Sequence, residues 1–87
     1  MGDLEGKTVL VTGASRGIGA ATARALSDAG ANVALASRSG DDLGLPDVVA
    51  MSVDVREPSS LEQIARVAAD KFGGIDAVVV NAGVGSY

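Results

Sequence analysis

The sequence predicts an α/β fold, the N-terminal half of a doubly wound parallel sheet, and three observations support this. Short aliphatic runs alternate with segments of helical periodicity, which is the order of β-α-β units. Apolar residues make up 47% of the 87 residues but aromatic residues only 2%, so the core is expected to be aliphatic, as in strands buried on both faces. A glycine-spaced segment, residues 12–19, joins the first aliphatic run to the first helical segment.

The aliphatic runs predict four strands, over residues 7–12, 32–36, 48–53 and 75–80. Segment 37–47, between the second and third of these, is too short for a normal crossover helix and contains Gly40, Gly44 and Pro46, so irregular chain or a single helical turn is expected there. Right-handed crossovers then give the strand order 3-2-1-4, with the fourth strand at an open edge.

Helical spacing predicts two helices. The first covers residues 17–29, ends at Gly30 and carries one apolar stripe. The stripe consists of Ile18, Thr22, Ala25, Leu26 and Ala29. The second helix follows Pro58, is expected to begin with a capping box of Ser59 and Glu62, and closes at Gly73.

Length, charge and composition limit the class of protein. A chain of 87 residues makes at most one small domain, here a half-domain over 1–87. The net charge of −4 argues against a nucleic-acid or anionic-membrane partner. Cys and His are both absent, which excludes a disulfide framework, a zinc site and a His-dependent triad within this chain, and no other metal site is expected. The N-terminus has no signal-peptide pattern, so a cytoplasmic protein is expected.

The glycine-spaced segment predicts a dinucleotide site. Gly13, Gly17 and Gly19 stand where a strand ends and a helix begins, so the backbone can turn tightly and bring its N–H groups close to an anion. The positive end of the helix dipole points to the same place. No Gly-Lys-Ser/Thr follows, which argues against a nucleoside triphosphatase. An ordinary strand-to-helix turn is the alternative interpretation.

Three motifs in order make the chain resemble the N-terminal part of the short-chain dehydrogenases/reductases, over nearly all of its length. They are the turn Thr12-Gly13-Ala14-Ser15-Arg16-Gly17-Ile18-Gly19, which is similar to the family's TGxxxGxG, then Asp54-Val55, and Asn81-Ala82-Gly83. The resemblance implies a Rossmann-type fold that binds NAD(H) or NADP(H) and oxidises alcohols or reduces carbonyls.

The resemblance also implies a set of cofactor-binding residues. Those around the pyrophosphate and the adenosine ribose would be Gly13, Ser15, Arg16, Gly17, Ile18 and Gly19. Asp54 would accept a hydrogen bond from the adenine amino group, with Val55 against the ring; the alternative for Asp54 is a carboxylate that caps a turn. The backbone of Asn81, Ala82 and Gly83 would pass close to the cofactor, although Val80 replaces the first Asn of the family's NNAG motif.

The end of the second strand bears on the choice of cofactor. Ser37 stands where NAD-binding Rossmann folds carry a carboxylate, and Arg38 follows it, with Arg16 as a second cation in the glycine turn. Guanidinium groups suit a 2′-phosphate, so NADP(H) is favoured and NAD(H) is possible. The alternative is that both Arg side chains are merely solvated, or that Asp41 or Asp42 folds back onto them.

No catalytic residue is assigned within the chain. The family's catalytic Tyr is followed four residues later by a Lys, and Tyr87 has no such partner, so it is expected in a substrate-side loop. Lys7 and Lys71 lie at the wrong places, and Ser15 lacks the surroundings of a nucleophile. We therefore expect the cofactor-binding half of an NADP(H)-dependent oxidoreductase with a small carbonyl or alcohol substrate, a homo-oligomer at full length. A non-catalytic nucleotide-binding module that completes its sheet with a partner chain is the alternative.

Overall fold

The computed structural model describes residues 3–13, 17–54 and 57–80, and six elements lie within them. In chain order they are β1 (Thr8–Thr12), α1 (Gly17–Asp28), β2 (Asn32–Ser37), β3 (Val48–Ser52), α2 (Pro58–Phe72) and β4 (Ala77–Val80). The four predicted strands and two predicted helices are confirmed. Their bounds differ from the sequence-based ones only near the ends.

The strands form one parallel sheet with the order β3-β2-β1-β4, which confirms the predicted order. β1 is the central strand and pairs with β2 on one side and β4 on the other. All five residues of β1 are buried, since both faces of this strand are covered.

The two helices cover opposite faces of the sheet. Successive side chains of a strand point to opposite faces, so each strand serves two cores. The core on the α1 face contains Val9, Val11, Val33, Leu35 and Ala23. The core on the α2 face contains Leu10, Ala34, Ala36, Ile64 and Ala68. The result is a three-layer α/β/α arrangement, as the doubly wound prediction required.

The predicted apolar stripe of α1 is wrong in part. The buried residues of this helix are Gly19 and Ala23, whereas Ile18 is 79% exposed and Ala25 is also exposed. Leu26 is half-buried and packs on the core. Alanines occur all round this helix, so periodicity alone left its docking face ambiguous.

The end of α1 confirms the predicted glycine stop. Gly30 has φ +95°, its N–H donates to the Ser27 carbonyl at 2.9 Å, and the Ala31 N–H donates to the Leu26 carbonyl at 3.0 Å. These two bonds make a Schellman motif, which satisfies carbonyls that the helix end would leave without a partner.

The predicted capping box of α2 is wrong. The helix begins at Pro58, and the N-cap is Glu57, whose side chain makes no capping hydrogen bond. Proline is well suited to the first helical position because its φ is already helical and it has no N–H to satisfy. Ser59 therefore lies inside the first turn. The predicted stop at Gly73 is confirmed, with φ +90° and its N–H bonded to the Ala69 carbonyl.

Residues 38–47, here called the connecting loop, join β2 to β3 without a helix or a strand, as predicted. Leu43 and Leu45 of this loop pack on the α1-side core. They cover part of the sheet that a crossover helix normally covers, which explains how so short a parallel connection is accommodated.

β4 lies at an edge of the sheet and is the most exposed strand. Val78 and Val80 are 54% and 69% exposed, because α2 packs against β1, β2 and β3 rather than against β4. In the part of the chain that the structure describes, no helix is long and apolar enough to cross a membrane.

Candidate nucleotide-binding site

The candidate site lies where the parallel strands end. Since all the strands run in one direction, the carboxyl ends of β1, β2 and β3 meet at one edge of the sheet. The chain leaves β1 toward β2 and later returns to pair β4 on the other side of β1. That reversal is the position where doubly wound sheets form a crevice for ligands. Predicted site residues stand at the ends of these strands, namely Gly13, Ser37, Arg38 and Asp54, and three more, Gly17, Ile18 and Gly19, begin α1.

The turn after β1 is tied to the neighbouring strand. The Gly13 N–H donates to the Ala36 carbonyl at 2.8 Å, and Gly13 has φ +65°. Gly17, at the start of α1, also has φ +65°, and apart from its chain neighbours and its own helix backbone, no atom of the described residues lies within 4 Å of a Cβ added to it. The backbone angles therefore favour glycine at both positions, and the described residues leave space at the helix start. Ser15 and Arg16 lie outside the described residues.

The start of α1 suits an anion. Gly17 and Ile18 are exposed, and the first turn of the helix carries no acidic side chain. The first N–H groups of a helix have no partner within it, and they carry the positive end of the helix dipole. Gly19, the third glycine of the motif, is buried. These features are what a pyrophosphate at a helix N-terminus requires.

The end of β2 presents a cation at the same edge of the sheet. Ser37 is 3% exposed, and its hydroxyl accepts a hydrogen bond from the Gly40 N–H at 3.1 Å. Arg38, the next residue, is exposed. The strand thus ends in a serine and is followed by an arginine, with no acidic residue at either position. The Ser37 hydroxyl is hydrogen-bonded within its own turn.

The two acidic residues of the connecting loop are held within that loop. The Asp41 carboxylate accepts a hydrogen bond from the Leu43 N–H, and the Asp42 carboxylate accepts one from the Gly44 N–H, each at 2.9 Å. These are Asx turns, which fix the short loop. The sequence left open that one of these carboxylates folds back onto Arg38. In the structure both are instead bonded to backbone N–H groups of their own loop.

Asp54 lies just beyond β3, close to the end of β2. The Val53 N–H donates to the Ser37 carbonyl at 2.7 Å, so the pairing of the two strands continues up to the residue before Asp54. Asp54 is half-buried. Four further predicted site residues lie outside the described residues: Val55, Asn81, Ala82 and Gly83.

Sequence reasoning missed Ser52, the last residue of β3. Its hydroxyl donates to the carbonyl oxygen of Arg38 at 2.8 Å. A serine at a strand end is ordinary in a sequence, and only the register of β2 on β3, which pairs Ser37 with Ser52, brings this hydroxyl to Arg38.

The arrangement is that of a nucleotide-binding α/β domain. It combines a glycine turn with open space at the start of a helix, a first helical turn without acidic side chains, and an exposed arginine at the end of the adjacent strand. All three lie at the carboxyl edge of a doubly wound sheet, where such domains bind nucleotides.

The model of the short chain dehydrogenase family matches residues 7–87. The chain belongs to this family, which confirms the resemblance seen in its motifs. Short-chain dehydrogenases are oxidoreductases that use a nicotinamide dinucleotide.

Similar proteins are found among curated sequences. The chain is 45% identical over 89 residues to the 3-oxoacyl-acyl-carrier-protein reductase FabG of Vibrio cholerae, an alignment that covers 94% of this chain and 36% of that protein. It is 37% identical over 94 residues to the D-beta-hydroxybutyrate dehydrogenase of Rhizobium meliloti, covering 90% of this chain and 34% of that protein. The chain therefore spans about a third of the length of these relatives.

A solved structure has the same fold. A doubly substituted short-chain dehydrogenase/reductase of Serratia marcescens superposes with a TM-score of 0.81 at 39% identity, over 92% of this chain and 36% of that one. The match extends the similarity from sequence to the arrangement of strands and helices.

Proposed function

We propose that this chain supplies the adenosine and pyrophosphate half of the NADP(H) site of a short-chain oxidoreductase. The reaction proposed is reduction of a small carbonyl compound or oxidation of the corresponding alcohol. The bound cofactor supplies or accepts a hydride at its nicotinamide ring, and the protein's part is to bind and orient it.

One observation carries the choice of NADP(H): the cation at the end of β2. Arg38 is exposed at this strand end. The residue before it is Ser37 rather than an Asp or Glu, so no carboxylate there would accept hydrogen bonds from a ribose 2′-hydroxyl. A guanidinium group at this position pairs with the 2′-phosphate that distinguishes NADP from NAD. The Asx turns of Asp41 and Asp42 keep two nearby carboxylates on their own backbone, which lessens their competition for Arg38.

The remaining residues act on the rest of the dinucleotide. The N–H groups at the start of α1, from Gly17 onward, would hold the pyrophosphate. The bond from the Gly13 N–H to β2 would hold the start of the turn at the edge of the sheet. The Asp54 carboxylate would accept a hydrogen bond from the adenine amino group. The roles of Ser15, Arg16, Val55 and residues 81–83 stay predictions.

The test is replacement of Arg38 by aspartate. This variant loses a charge-assisted hydrogen bond to the 2′-phosphate and places a negative charge near it. The dissociation constant for NADPH should therefore rise by about tenfold to a hundredfold. The dissociation constant for NADH should change far less, because NADH has no 2′-phosphate. Isothermal titration of both cofactors against the 87-residue chain measures the two constants.

Arg24→Asp is the matched control. Arg24 is exposed on α1, outside the site, and its replacement changes the net charge by the same amount. The control should leave both dissociation constants within twofold of the original values, a difference of about 0.4 kcal/mol. Equal losses of affinity for NADPH and NADH in the Arg38→Asp variant would contradict the assignment of Arg38 to the 2′-phosphate.

The substrate class rests on the family and on the relatives. The two similar proteins named above are, by name, a 3-oxoacyl reductase and a hydroxybutyrate dehydrogenase, so both names denote a carbonyl or an alcohol group. We extend only that shared chemistry to this chain. Homo-oligomerisation of a full-length protein and a cytoplasmic location stay predictions.

A second candidate is a non-catalytic nucleotide-binding module that completes its sheet with a partner chain. The exposed edge strand β4, with Val78 and Val80, favours it. The two candidates are separated by expressing the protein from its own gene, measuring its mass and assaying it for carbonyl reduction. NADPH binding with no turnover of any carbonyl compound in a broad panel would favour the module.

A further inference from the structure

We propose that Ser52 is a positioning residue for Arg38: its hydroxyl holds the Arg38 backbone so that the guanidinium reaches the 2′-phosphate of NADPH. This inference rests on the proposed function, and it assigns a role to a residue that no motif of the chain contains. The chemistry it serves is recognition of a phosphate on the adenosine ribose.

The first support is the contact itself. The Ser52 Oγ donates to the Arg38 carbonyl oxygen at 2.8 Å, a short distance for a hydroxyl donor. The bond joins residues 14 apart in sequence, the last residue of β3 and the first residue of the connecting loop. It fixes the peptide that follows Arg38, and therefore the ψ angle of Arg38, from outside the turn.

The second support is that the backbone before Arg38 is fixed as well. The Ser37 carbonyl accepts the Val53 N–H at 2.7 Å, and the Ser37 hydroxyl accepts the Gly40 N–H at 3.1 Å. With the Ser52 bond, both peptide units around Arg38 are tied to β3 or to the turn. A long side chain loses less conformational freedom on binding when its own backbone is already fixed, which favours phosphate binding.

The third support is the close approach of the turn to Ser52. A Cβ added to Gly40 would lie 3.0 Å from the Ser52 nitrogen, so the loop packs directly on this residue. Gly40 has φ +72°, an angle that glycine adopts without cost. The glycine thus lets the turn fold down on the end of β3, where the Ser52 hydroxyl meets the Arg38 carbonyl.

The fourth support is that Ser52 contributes little else. Its side chain is exposed, and β3 is an edge strand whose pairing with β2 is made by backbone groups. Removal of the hydroxyl leaves the Arg38 carbonyl open to water, so the fold should persist and binding can be measured.

The experiment compares two ligands that differ only in the 2′-phosphate, adenosine 2′,5′-bisphosphate and 5′-AMP, titrated into the 87-residue chain. Ser52→Ala should weaken binding of the bisphosphate by about threefold to tenfold, the range that one net hydrogen bond allows. Binding of 5′-AMP should stay the same. Ser52→Thr keeps the hydroxyl and should restore the bisphosphate affinity, whereas Ser59→Ala, which removes an exposed hydroxyl on α2, should have no effect.

Arg38→Ala and the double variant separate the possible failures. If Ser52 acts through Arg38, Ser52→Ala should cause no further loss of bisphosphate affinity in the Arg38→Ala background. If Arg38→Ala weakens both ligands equally, the NADP(H) assignment fails, and this inference fails with it. If Arg38→Ala weakens only the bisphosphate while Ser52→Ala weakens both ligands equally or neither, the role of Ser52 is overturned and the proposed function stands.

Discussion

Gly17 combines two requirements in one residue. Its φ of +65° lies in the left-handed region, and apart from its chain neighbours and its own helix backbone, no atom in the described part of the chain lies within 4 Å of the position that a Cβ would take. The backbone angle alone favours glycine, since an L-residue there costs about 1–2 kcal/mol. The open space adds a second requirement, because the proposed pyrophosphate must approach the first N–H groups of α1 at this point.

Replacement of Gly17 by alanine should therefore reduce both stability and binding. We expect a loss of about 1–2 kcal/mol in the free energy of unfolding from the backbone angle. The added methyl group should also raise the dissociation constant for NADPH by about tenfold, equal to about 1.4 kcal/mol, since it occupies the approach to the helix start. Urea unfolding and isothermal titration measure the two effects.

Gly73→Ala separates strain from binding. Gly73 has φ +90° and caps α2 rather than α1, and beyond its chain neighbours its added Cβ would also meet no described atom within 4 Å. It should lose a similar amount of stability and bind NADPH normally. Equal NADPH affinity of the two variants would refute the placement of the pyrophosphate at Gly17.

At the scale of elements, α2 has a good stop and an incomplete start. Gly73 closes it with a backbone bond to Ala69, while the N-cap Glu57 has the extended backbone of a cap but makes no side-chain capping bond. A Glu side chain is long for this purpose, whereas Asp, Ser, Thr and Asn place an oxygen near the N–H groups of the first turn. The helix therefore has a stabilising substitution available at its start.

Glu57→Asp should stabilise the chain by about 1 kcal/mol, because the shorter carboxylate reaches the first-turn N–H groups and keeps the negative charge at the positive end of the helix dipole. Chemical denaturation measures the gain. Glu62→Asp, the same change at an exposed position within α2, is the control and should give no gain. A gain of equal size at both positions would show that capping is not its cause.

At the scale of the whole molecule, the two edges of the sheet differ. β3 is bordered by the connecting loop and by Lys71, whose ammonium group donates to the Val48 carbonyl at 3.3 Å. β4 instead exposes Val78 and Val80 along an edge without a described neighbour. Unpaired strand edges with apolar side chains pair readily with other chains.

The 87-residue chain should consequently self-associate through β4 as its concentration rises, and Val78→Lys should suppress this, because an edge lysine opposes further pairing. Sedimentation velocity over a concentration series measures the effect. Val67→Lys is the matched control, since Val67 is 39% exposed on α2 and the change in net charge, from −4 to −3, is the same. Equal suppression by both variants would assign the effect to charge rather than to the edge.

Local patterns in the sequence determined most of the architecture and the family. Aliphatic runs, the stops at Gly30 and Gly73 and the short segment after Ser37 led to the observed element order and to the strand order 3-2-1-4. They succeeded because burial periodicity and turn chemistry act over a few residues. The glycine turn and Arg38 were likewise visible in the sequence, although their binding roles stay predictions.

Only the tertiary structure decided which face of α1 is buried, where α2 begins and what holds Arg38. Gly19 and Ala23, rather than Ile18 and Ala25, are buried, because close packing of an alanine-rich helix depends on the shape of its partner and not on its own periodicity. The bond from Ser52 to Arg38 depends on the register between two strands separated by an irregular loop. Such a contact exists only once the sheet has formed, and no local pattern encodes it.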